Sequence, residues 1–200
     1  MSARGRRRGG LVAVFGCFLL LSTGCMSNVQ IGTPTGEPDC ASPEGQVSDA
    51  VVLVAQSVPS AQLLPCLRAL PVGWIFHMLD AQRGRTQVLL SSGDRDGEHK
   101  LTLVLAGSCD VTGAREVPSD QPNTRRYDRV TRVAPGYLAD RYYVFAGGCV
   151  THRFDLRGRA GAEAAAAISA GLGFVSRSTV AAAVSERSHG RLTLDPEGQP

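Results

Sequence analysis

Lysine is almost missing from this chain: Lys100 stands alone among 21 basic residues, and every other cation is arginine. Arginine enrichment suits phosphate or carboxylate recognition. Here it accompanies an abundance of Ala, Gly and Val, and the simpler reading is the coding bias of a high-GC genome. Also missing are a Gly-x-Ser-x-Gly elbow, a His-Glu-x-x-His pair, a phosphate loop and a dinucleotide fingerprint. The familiar signatures of serine hydrolases, zincins and nucleotide-binding proteins are therefore not available, and no cofactor is expected. No two cysteines show the Cys-x-x-Cys spacing of zinc sites, which argues against a metal. Internal repeats and coiled-coil heptads do not occur.

What is present is organised around residues 11–25. Arg4, Arg6, Arg7 and Arg8 form a positive segment, Leu11 to Leu21 an apolar one, and Ser22, Thr23 and Gly24 follow as small residues. This is the order of an export signal. The apolar run is too short to cross a bilayer core, which takes roughly 20 residues. Leu21-Ser22-Thr23-Gly24-Cys25 resembles the lipobox of bacterial lipoproteins. The resemblance implies diacylglyceryl attachment at Cys25, cleavage just before it, and a mature protein anchored on the extracytoplasmic face of the cell membrane. Ser22 departs from the pattern, because the family usually has a branched apolar residue three positions before the cysteine. Plain secretion and an uncleaved anchor are the competing readings. Arg7-Arg8 ahead of Gly9-Gly10-Leu11 also resembles a twin-arginine signal, although arginine clusters are ordinary in such segments.

Cleavage would change the charge argument. The formal net charge of +3 includes four arginines and no acid within residues 1–24, so the remainder lies near −1. A nucleic-acid partner is not supported. The remaining 176 of 200 residues suit one domain and a tether, enough to bury a core without a metal. Cys17 falls in the apolar segment and Cys25 at the lipobox, which leaves Cys40, Cys66, Cys109 and Cys149. An even number in an exported protein suggests two disulfides. Three pairings are open. Cys109 follows one expected strand and Cys149 sits at a turn between two others, so we favour Cys109 with Cys149. Cys40 would then tie the tether to the first helical part through Cys66.

Residues 25–46 are rich in Pro, Gly, Ser and Thr, as a flexible tether would be. The folded part is expected over residues 47–200. Ser48 is placed to cap a helix through Ala50-Val51-Val52-Leu53-Val54-Ala55, and a second helical piece is expected from Ala61 to Leu70, broken near Pro65. Strands are expected over Trp74–Leu79, Thr86–Ser91, Leu101–Leu105, Val130–Val133, Arg141–Ala146 and Val150–Phe154. Leu101–Leu105 reads as a central strand buried on both faces. Residues 110–126 read as a loop. Ala160 to Leu172 is a strong helix former, Ser176 or Ser178 can cap a further helix stopped by Gly190, and Leu192 and Leu194 suggest a last strand. The fold class is α+β: a mostly antiparallel sheet of about five or six strands with N-terminal and C-terminal helices packed on it.

Few constellations could carry chemistry. His77 and Asp80, and His152 and Asp155, lie three apart, a spacing that aligns side chains on a helix but sets them on opposite faces of a strand. Ser92, Asp94, Asp96 and Gly97 match four positions of a calcium loop, yet the twelfth is Leu103 where a glutamate is needed. A solvated hairpin turn explains them better. Tyr137, Tyr142, Tyr143 and Phe145 could form a ligand-binding face, or simply core on one side of a strand.

The blocks Gln56-Ser57-Val58-Pro59-Ser60, Leu70-Pro71-Val72-Gly73-Trp74 and Tyr143-Val144-Phe145-Ala146-Gly147-Gly148-Cys149 resemble recurring blocks in uncharacterised envelope lipoproteins of high-GC Gram-positive bacteria. That resemblance brings no functional residues with it. The expectation is a membrane-anchored, non-enzymatic binding or structural module with an envelope protein or ligand as partner; the alternative is an extracytoplasmic hydrolase using a His–Asp pair.

Overall fold

Ser48 does cap a helix: its hydroxyl accepts from the Val51 amide, and α1 runs Asp49–Ser57 with Ala50, Val51, Val54 and Ala55 buried along one stripe. A computed structural model describes residues 36–41, 46–94 and 97–196 of the chain. After α1 come β1 (Leu63–Leu67), β2 (Trp74–Gln82), β3 (Arg85–Asp94), β4 (Gly97–Ala106) and β5 (Arg115–Val117). Then follow β6 (Arg125–Arg132), β7 (Tyr137–Phe145), β8 (Gly148–Leu156), α2 (Gly161–Ala170), β9 (Leu172–Ser176) and α3 (Arg177–Arg187). The class is α+β with antiparallel sheet.

Seven strands form one sheet in the order β2-β3-β4-β8-β7-β6-β5, and β1 and β9 form a separate antiparallel ribbon. The period-two alternation of strands separates two faces. Leu79, Val88, Leu90, Leu101, Leu103, Leu105, Val150, Phe154 and Leu156 are buried on the inner face. Helix α1 packs over β2 and β3, α2 over β7 and β8, and the ribbon lies between them near β4. The opposite face carries Lys100, Arg153 and Asp155. It has no helix on it among the described residues.

Several expectations are corrected. The sheet region holds seven strands rather than five or six, with two more in the ribbon. Ala61–Leu70 is not helical; its centre is β1, and Pro65 is tolerated because the ribbon demands few of its backbone donors. Leu101–Leu105 is central but buried on one face only, with Thr102 and Val104 half-exposed on the other. Part of the expected loop at 110–126 is β5, and β6 begins at Arg125, five residues before the apolar signal at Val130. The helices are not confined to the two ends, since α2 and α3 are separated by β9. Leu192 and Leu194 form no strand.

Two disulfides staple the chain, Cys40 to Cys66 and Cys109 to Cys149, with Cα–Cα separations of 4.8 and 5.8 Å. The first fixes residues 38–40 along β1, where the Cys40 amide donates to the Leu67 carbonyl at 2.9 Å and the Leu67 amide to the Pro38 carbonyl at 2.8 Å. The second joins the segment after β4 to the start of β8. Gly147 turns β7 into β8 with φ +72, and a side chain there would run into the Ser60 carbonyl.

Candidate functional site

Most of the titratable groups with displaced pKa values lie on β6, β7 and β8, and such clusters are where functional sites are sought first. On the inner face Arg126 lies opposite Tyr143, Asp128 opposite Arg141, and Arg141 opposite His152. Arg126 grips Asp128 with two bonds, Nε to Oδ1 at 3.0 Å and Nη2 to Oδ2 at 2.6 Å. Arg141 donates through Nε to the same Oδ1 at 3.3 Å and through Nη1 to the Ser169 hydroxyl of α2 at 3.0 Å. Asp120, from the connection between β5 and β6, accepts the Tyr143 hydroxyl at 2.9 Å and Arg126 Nη1 at 3.3 Å.

On the outer face Asp140 accepts from Arg129 at 2.8 Å and from Arg153 at 3.2 Å, so one carboxylate bridges β6, β7 and β8. Arg129 also reaches the Tyr142 hydroxyl and stands 5.2 Å from that ring's centre.

Burial works to raise the Asp140 pKa, but the hydrogen bonds from Arg129 and Arg153 outweigh it and leave the carboxyl below its ordinary range. Asp120 follows the same balance, with the Tyr143 hydroxyl as the main opposing influence. Burial pushes the Tyr143 phenol up to about 12, so it stays a donor. Burial, helped by the neighbouring Arg141 charge, pulls His152 down to about 3. Its side chain is fully enclosed, 5.0 Å from the Tyr143 ring, and Nδ1 has no hydrogen-bond partner.

A general base must reach its proton donor and the substrate. His152 is neutral but sealed, and Asp155 points to the opposite, exposed face as the strand period requires. The guanidinium groups described above each have a carboxylate to answer them. Chemically this is an ion-pair lattice of four arginines and three aspartates that ties three strands and α2 together.

The other sequence candidates disperse. A bulge between Phe76 and Met78 exposes His77, and its Nε2 meets Ser91 Oγ at 2.5 Å. Asp80 does not join them; Gln82 donates to it at 3.0 and 3.2 Å. In the calcium-like segment Ser92 is buried on β3 and Asp94 pairs with Gly97 at the β3–β4 turn, while Asp96 lies outside the described residues. The flanks are strands, not the helices of an EF-hand. Among the described residues no group of three His, Cys, Asp or Glu side chains could hold a metal. Tyr137, Tyr143 and Phe145 turn inward, where Phe174 packs edge-on against Tyr143 at 5.5 Å and Phe145 at 5.9 Å. Tyr142 turns outward beneath Arg129. Cys25 lies outside the described residues.

Sequence reasoning missed the Arg–Asp lattice. Its signal was Arg126-x-Asp128 on one strand with Asp140-Arg141 on the next, readable only once the strands are in register.

A groove of about 680 Å³ opens elsewhere, between α1, α3 and the segment after α3. Val52, Val184 and Leu192 line it together with Asp49, Arg187, Ser188 and Arg191. No family model matches the chain, and no curated protein or solved structure matches it either.

Proposed function

We propose that the protein is a lipoprotein anchored through Cys25 to the extracytoplasmic face of the cell membrane, whose folded domain is a non-enzymatic binding or structural envelope module. The observation that supports the module reading best is the isolation of His152, enclosed and neutral with Asp155 on the other face of the sheet. The two disulfides suit an exported chain. One acyl chain gives only marginal anchoring and two hold stably, at about 0.8 kcal/mol per buried CH₂, and a diacylglyceryl group at Cys25 would supply two.

Fractionation tests the anchor. Cys25→Ala should move the protein from the membrane to the medium or to an uncleaved precursor, and a mature N-terminus without lipid would overturn it. Crosslinking pull-down beside a panel of hydrolase substrates tests the module.

A hydrolase reading has one observation in its favour, the His77–Ser91 contact at 2.5 Å. Nucleophilic catalysis wants a third group to orient the base, and Gln82 occupies Asp80 instead. Turnover that disappears in His77→Ala while the fold persists would establish that reading over ours.

A further inference from the structure

The groove beside α3 combines features that the fold alone does not require. Leu192 leaves 63 % of its surface exposed although Leu194, two residues on, is buried. The segment carrying Leu192 is held firmly: the Leu192 amide donates to Ser188 Oγ at 2.9 Å, and the Asp195 amide to Gln56 Oε1 of α1 at 2.9 Å. So the exposed leucine belongs to a fixed wall, facing a groove whose other apolar residues are Val52 and Val184.

Two guanidinium groups stand on the same groove. Arg191 uses Nε for the Ser188 carbonyl at 3.0 Å, leaving the fork of its two terminal nitrogens for another acceptor. Arg187 uses Nη1 for Asp49 Oδ1 at 3.0 Å. That pair is weak, because the Asp49 side chain is 90 % exposed and water competes for it. An incoming anion can share Arg187 with Asp49 or displace it. The volume of about 680 Å³ falls within the roughly 300–1,000 Å³ usual for small-molecule sites.

From these residues we infer that the groove binds a long-chain fatty acid, with the acyl chain along Val52, Val184 and Leu192 and the carboxylate on Arg191 and Arg187. A carboxylate matches the planar guanidinium fork with two parallel bonds. The apolar walls exclude a bare anion as the preferred occupant, and the two arginines disfavour a neutral hydrocarbon. The inference rests on the module reading and supplies its ligand.

The test is photo-labelling of the full chain in its native membranes with a diazirine analogue of palmitic acid, followed by peptide mapping. Parallel arms use the methyl ester of the same probe and a diazirine phospholipid. The expected result is labelling within residues 184–192, competed by unlabelled palmitate, and reduced roughly tenfold by Arg187→Gln with Arg191→Gln. Both arginines are exposed, and an unchanged melting temperature confirms that the double variant folds. Equal labelling by the methyl ester, or labelling that ignores the double variant, would overturn the inference. Labelling by the phospholipid arm alone would do the same, as it reports bilayer contact. A silent groove combined with a partner captured elsewhere on the domain would remove this site and leave the module reading standing; hydrolytic turnover would remove that reading.

Discussion

Arg141 of β7 stands directly across from His152 of β8, so a permanent cation faces an imidazole shut away from water. The consequence for stability has a definite sign. Unfolding releases His152 to its ordinary pKa of 6.5, whereas the folded value is about 3. Between those values the unfolded chain binds the extra proton, so stability falls as pH falls. The slope approaches about 1.4 kcal/mol per pH unit for this one group. His152→Phe keeps an aromatic ring beside Tyr143 and Phe154 and should flatten the dependence. Urea midpoints of both proteins from pH 7 to pH 4 check it; parallel curves would contradict the assignment.

Asp140 works in a lower window. Its carboxyl is held below the ordinary range, so its contribution is complete above the unfolded value near 4 and is lost as pH falls through the folded one. Asp140→Asn should therefore be less stable than the parent at neutral pH, and the gap should close in strong acid. A gap that persists where the carboxyl is protonated would mean that packing, not charge, holds these strands.

Arg177 is the most deeply buried cation described, 3 % exposed at the start of α3. It donates to the Ala55 carbonyl at the end of α1 and to the Asp195 carbonyl, each at 2.6 Å. Arg177→Ala leaves the buried Ala55 carbonyl unanswered and the Asp195 carbonyl to water, and should cost about 1–3 kcal/mol. Arg125→Ala, which breaks the exposed pair with Glu116 and an exposed stacking contact 5.4 Å from the Tyr127 ring centre, should change the melting temperature far less. Equal losses in the two variants would contradict this ranking.

The disulfides close sequence separations of 26 and 40 residues. The chain-entropy estimate gives roughly 3.5 kcal/mol for Cys40–Cys66 and roughly 4 kcal/mol for Cys109–Cys149. Selective removal of each as a Cys→Ala pair, measured by denaturant midpoint, should show losses of that order. Non-reducing peptide mapping that returned Cys40–Cys109 would refute the connectivity.

What could be read in advance follows from how local each signal is. Ser48 and Ser176 announce their helices because a cap acts within three residues; each hydroxyl accepts from the amide three positions on. The strands of the large sheet announce their existence by short apolar runs, but not always their faces: Leu101–Leu105 reads as buried on both sides, because Val104 is apolar although it lies half-exposed on the outer face. Strand β1 hides because Leu63-Leu64-Pro65-Cys66-Leu67 has no alternation to show, being buried nearly throughout. Strand β9 hides because its first residue, Leu172, closes the Ala-rich run that reads as helix. Gly171 is there for a tertiary reason, since a side chain would collide with the Ala69 carbonyl. The Arg–Asp lattice is invisible for a different cause: its partners come from separate strands, and only pairing makes them neighbours. The fatty-acid groove is harder still, because Asp49 and Arg187 are 138 positions apart.

The link between Cys40 and Cys66 also decides how the domain would carry a mechanical load. A pull on the chain ahead of residue 36 enters at Pro38–Cys40, which lies parallel to β1 through the Asp39–Leu67 bridge. Without the disulfide the pull would have to be resisted there by the backbone bonds around Leu67. With it, tension crosses a covalent bond to the wholly buried Cys66 and spreads through β1 into β9. The end of the chain nearest the proposed anchor can be dragged by flow or by a moving partner without its first strand being peeled away.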